Sequence, residues 1–71
     1  MSKYHEQFIL PNNIIDTDVT TDKSLDELAD EVQRELQTAA RNNKLFSVKG
    51  PHKAQLFDPK KLIVFEIEKI N

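Results

Sequence analysis

The chain has 71 residues, no cysteine, two histidines and a net charge of −2. That length makes one small domain, which buries only about 60% of the surface of its unfolded chain and has little stability to spare. Disulfides and thiolate zinc sites are excluded as reinforcement, and His5 and His52 have no ligand spacing around them, so no cofactor or metal is implied and oligomerisation is the aid left open.

The charge is sorted along the chain. Residues 1–36 carry three basic and nine acidic side chains, net −6, and residues 37–71 carry seven basic and three acidic, net +4. Such sorting marks either a partner surface or a helix arranged to suit its own dipole. Residues 1–7 lack the apolar core of a secretory signal, and the longest apolar run, residues 62–65, is far short of a membrane span. The expected compartment is the cytoplasm, with no membrane partner.

Residues 1–71 read as a single domain, with residues 1–5 a candidate disordered stretch. Residues 7–10 and 14–15 are a candidate strand, interrupted by Pro11-Asn12-Asn13. A helix is predicted from Ser24 to Asn42. Ser24-Leu25-Asp26-Glu27 fits a capping box, in which serine and glutamate each satisfy the other's free backbone amide. Leu25, Leu28, Ala29, Val32, Leu36, Ala39 and Ala40 then form a stripe at helical spacing. Asn42-Asn43 ends it, because asparagine tolerates the left-handed closing conformation.

Three extended segments follow, at residues 45–49, 53–57 and 62–69, separated by Gly50-Pro51 and by the turn signal Asp58-Pro59. They read as a three-stranded antiparallel meander. The predicted class is α+β: a small antiparallel sheet of three to four strands with one amphipathic helix packed on one face, in β-α-β-β-β order.

The acids ahead of the helix invite a calcium reading, since Asp16, Asp18, Thr20, Asp22, Ser24 and Glu27 fall at loop-ligand spacing. An EF-hand loop needs glycine where Thr21 stands and an entering helix where Pro11-Asn12-Asn13 stands, so the acids read instead as flanking a helix N-terminus. A DNA-mimic reading of Asp26, Glu27, Asp30 and Glu31 is weakened by Arg34 on the same face, where Asp30 and Arg34 form an ordinary i,i+4 pair. Catalysis has no foothold: neither histidine sits in a nucleophile motif, and the single glycine forbids a phosphate-cradling loop.

Two surfaces remain. If Phe46, Val48, Ile63, Phe65 and Ile67 face the helix, then Leu45, Leu62, Val64 and Ile9 point away from it, onto a face that is either an interface or covered by the N-terminal segment with Tyr4, Phe8 and Ile14. That face, with Asp26 and Asp30 on the exposed helix, predicts a non-enzymatic interaction or regulatory module that binds a protein partner or self-associates as a homodimer. The alternative is nucleic-acid binding through Lys49, Lys53, Lys60 and Lys61 beside the two turns, where lysines and backbone amides could meet phosphates.

Overall fold

A computed structural model describes residues 1–71. The order of elements is β1 Ser2–Leu10, β2 Asn13–Thr21, α1 Leu25–Arg41, β3 Phe46–Lys49, β4 Ala54–Phe57, a 3-10 turn at Pro59–Lys61, and β5 Val64–Lys69. The class is α+β, as the sequence predicts, but the order is β-β-α-β-β-β.

The extra strand comes from the N-terminus. Residues 2–21 form one long antiparallel hairpin, with Ser2 opposite Thr21 and Leu10 opposite Asn13 across a two-residue connection, Pro11-Asn12. Pro11 is therefore the corner of a turn, where its fixed φ suits the first central position. Residues 2–5 lie in β1 and pair with β2, and Tyr4 is among the most buried side chains of the chain.

β5 supplies the second correction. It pairs antiparallel with β1, Tyr4 opposite Lys69 and Ile9 opposite Val64, giving a three-stranded sheet of order β2-β1-β5. β3 and β4 form a separate two-stranded sheet. The meander fails because Asp58-Pro59 does not reverse the chain in place. The Asp58 carboxyl accepts from the Lys60 amide at 2.9 Å, and the Leu62 amide donates to Pro59 O at 3.3 Å. This capped 3-10 turn leads the chain away from β4 and onto the open edge of β1, where a longer ladder is available.

The helix matches its prediction closely. Ser24 is the N-cap: Glu27 N donates to Ser24 Oγ at 3.2 Å and Ser24 N donates to Glu27 Oε1 at 3.0 Å. At the other end Asn43 takes φ 54°, while Lys44 N donates to Ala39 O and Asn43 N to Ala40 O. These two bonds make a Schellman closure.

The core lies between the inner face of the three-stranded sheet and a second layer made by α1 and the β3–β4 hairpin. Tyr4, Phe8 and Ile15 from the sheet meet Leu28 and Val32 from the helix and Val48 and Phe57 from the hairpin. Phe8 is its centre, with ring centroids 4.9 Å from Phe65, 5.5 Å from Phe57 and 5.6 Å from Phe46. Pairs at these separations add about 0.5–1.5 kcal/mol each beyond area burial. Leu25, placed in the core stripe by its spacing, is 40% exposed. No helix is long and apolar enough to cross a membrane.

Candidate interaction face

Side chains alternate along a strand, so the register of the three-stranded sheet fixes what its outer face presents. Tyr4, Glu6 and Phe8 point inward, which turns Lys3, His5, Gln7 and Ile9 outward. Pairing then builds crosswise rows. Asp18, His5 and Glu68 form one, Asp16, Gln7 and Glu66 the next, and Ile14, Ile9 and Val64 the last. The face therefore runs from two acidic rows to an apolar one.

The acidic rows are organised around His5. Its Nδ1 lies 2.7 Å from Asp18 Oδ1 and its Nε2 3.6 Å from Asp16 Oδ2, while Lys3 Nζ stands 3.8 Å from Asp18 Oδ2. The Asp18 hydrogen bond is the main cause that holds the His5 pKa above its ordinary value, and the charges of Asp18, Asp16 and Glu68 add to it. The same bond holds Asp18 below the usual carboxylate range. Glu66 and Glu68 have no cationic partner within the chain. The apolar row is open to solvent, with Ile14 56% and Val64 41% exposed.

The β3–β4 turn, with Gly50, His52 and Lys53, lines a pocket with His5, Asp16 and Asp18 beside the acidic rows, while the apolar row stays exposed. The N-terminal segment, one candidate for its cover, is the middle of the sheet, and its Tyr4 and Phe8 side chains point into the opposite layer. The predicted residues separate accordingly. Val64 and Ile9 are on the open face, but Leu62 packs against the core and its neighbour Ile63 is 64% exposed. The two residues exchange roles because β5 begins only at Val64, so strand alternation does not extend back to them. Leu45 is exposed, yet it lies in the α1–β3 connection, outside either sheet. Asp26 and Asp30 are exposed on α1, in the layer opposite the open face. Arg34 Nε reaches the Asp30 backbone carbonyl at 3.4 Å, in place of the predicted carboxylate pair.

The lysines do not gather either. Lys49 and Lys53 stand at the turn of the β3–β4 hairpin, where Gly50 N donates to Lys53 O at 2.8 Å. Lys60 and Lys61 lie past its other end, where Lys60 Nζ bonds Asn43 Oδ1 beside the helix C-terminus. The four residues of β4 separate the two pairs by about 13 Å, so the basic stretch forms two small clusters.

The acids of residues 16–18, weighed above as part of a loop, belong to β2, and nowhere do three or more His, Cys, Asp or Glu side chains meet in an arrangement that could hold a metal ion. The signal sequence reasoning missed is the alternation in Asn13–Thr21, where Ile15, Thr17 and Val19 face inward between Ile14, Asp16 and Asp18. No protein-family model, curated protein or solved structure matches the chain, so its function rests on these residues alone.

Proposed function

We propose that the protein is a non-enzymatic, cytoplasmic interaction module whose binding surface is the outer face of the β2-β1-β5 sheet. The observation that carries this reading is the uncovered apolar row Ile14–Ile9–Val64 set beside the rows that hold Asp16, Asp18, Glu66 and Glu68. Apolar side chains side by side on an open sheet face lose water contact when a partner covers them. The acids next to them choose which partner does so.

Charge complementarity favours a protein segment with an apolar anchor flanked by lysine or arginine. A second copy meeting this face with its own would set like charges opposite one another, which opposes binding. The charged outer surface of α1, with Asp26 and Asp30, is on the other layer and would serve a separate contact.

The test is affinity capture from the native host lysate, with and without nuclease, using the wild-type chain and the variants Val64→Asp and Ile14→Asp. The expected result is a basic protein that survives nuclease and is lost with either variant. Equal retention by both variants, or loss with nuclease, overturns the reading. Light scattering at tens of micromolar tests self-association through the same face, and a dimer that Val64→Asp dissolves would replace the foreign partner with a second copy.

A further inference from the structure

Between the inner face of the three-stranded sheet, residues 28–35 of α1 and β3 lies a cleft of about 240 Å³. Phe8, Val19, Leu28, Val32, Phe46 and Val48 make its apolar walls. Into this lining projects Glu6, the middle residue of the central strand, with 6% of its surface exposed. Its carboxyl takes part in no side-chain hydrogen bond and no salt bridge. Nor is either of its oxygens fully sealed, since no sealed side-chain oxygen lacks a partner. The carboxyl thus looks into the cleft.

A carboxylate in such a place is costly unless something pairs with it. Its cross-strand neighbours, Thr17 on β2 and Ile67 on β5, carry no charge. From α1 come two more acids, Glu31 and Glu35, and Glu31 is engaged by Lys23. From β3 comes Lys49, exposed at the rim and in no ion pair. Three carboxyls face one ammonium, so the cleft favours a positive guest. Its single buried carboxylate and apolar walls do not resemble the oxygen cage of a divalent metal. They resemble the surroundings of a monocation that carries its own apolar body, with the Thr17 hydroxyl beside Glu6 as a further acceptor.

We propose that this cleft binds a primary ammonium group on a short apolar stem, with the Glu6 carboxylate as its counter-ion and Val32, Phe46 and Val48 against the stem. The ammonium can belong to a free alkylamine or to a lysine side chain of another chain. Because the charged carboxylate is the binding form, affinity rises with pH as Glu6 ionises.

The experiment is a titration of the full chain followed by amide NMR at neutral pH and at pH 4.5, with n-butylamine, with Nα-acetyl-lysine methylamide, and with n-butanol as an uncharged stem of the same length. Saturable shifts at Phe8, Val32 and Val48 are expected with the amines at neutral pH, weakened at pH 4.5, weakened at least tenfold in Glu6→Gln, and strengthened several-fold in Lys49→Gln. Preference between the two amines tells a free ligand from a lysine side chain. Butanol binding as tightly as butylamine, or a Glu6→Gln chain that binds unchanged, overturns the proposal. Should Glu6→Gln fail to fold, the butanol and pH comparisons on the wild-type chain still decide it.

Discussion

His5 Nδ1 and Asp18 Oδ1 face each other at 2.7 Å across the β1–β2 pair, one on the central strand and one on the edge strand. His5 binds its proton more tightly in the folded chain, so what it adds to stability is complete below about pH 6.5 and is lost as pH rises through its raised folded value. Asp18 binds its proton less tightly when folded, so its share is complete above about pH 4 and is lost as pH falls through its lowered value. The pair therefore supports the hairpin most between those limits. Thermal melts across pH 3–8 should show the wild type losing stability above that window, and His5→Gln should lack that limb; parallel profiles for the two chains would show that the bond carries no linkage.

Glu6 titrates in the opposite sense for an acid. Burial first, and then the charge of Glu35, raise its pKa, so the folded chain holds the proton longer than the unfolded one. Stability accordingly falls as pH rises from the ordinary glutamate range through the raised value, and the cost is complete above it. Glu6→Gln keeps the shape and removes the charge. It should stabilise the chain at neutral pH, because glutamine is as unpaired as glutamate but spares the cost of burying a charge. The gain should vanish at pH 4 in urea titrations, and a Glu6→Gln chain less stable than wild type at pH 7 would contradict it.

Glu6 is also the reason the first hairpin is hard to read from sequence. Inward positions Tyr4, Glu6 and Phe8 carry a charge in their middle, and β2 carries Asp16 and Asp18, which strands disfavour, so alternation in both strands is masked. The helix was legible because Ser24, Glu27 and Asn43 act locally, within a few residues of their partners. The pairing of β5 with β1 depends on contacts between residues 4–9 and 64–69, and no local signal separates that from pairing with β4. For the face, alternation along residues 62–69 places Val64 correctly but misplaces Leu62, which lies before β5 begins. The acidic rows could not be placed this way, since Asp16 and Glu66 meet across Gln7 only once the register of three strands is known.

Asn43 gives a test of the helix closure. Its φ of 54° lies in the left-handed region, which costs a residue with a Cβ about 1–2 kcal/mol and asparagine less. Asn43→Ala should lower stability by about 1 kcal/mol, while Asn43→Gly should stay within about 0.5 kcal/mol of wild type because glycine reaches this conformation freely and the lost Lys60 contact is exposed. Urea midpoints at unchanged m report the difference. Equal losses for the two variants would mean that the side chain, and not the backbone, closes the helix.

Adjacent residues of β5 should answer mutation in opposite ways. Val64 stands on the open face, 41% exposed and opposite Ile9, whereas Phe65 points inward and stacks 4.9 Å from Phe8. Val64→Asp should cost about 1 kcal/mol or less, the span of strand propensity at an exposed position. Phe65→Ala should cost about 3 kcal/mol, the low end for such truncations because the ring is only partly buried. A chain of this length has roughly 4–10 kcal/mol in total, so the second variant should melt markedly lower and the first should not. Circular dichroism melts of both decide the register of β5: a slip of one residue along β1 would turn Val64 inward and Phe65 outward and reverse the order of the two costs.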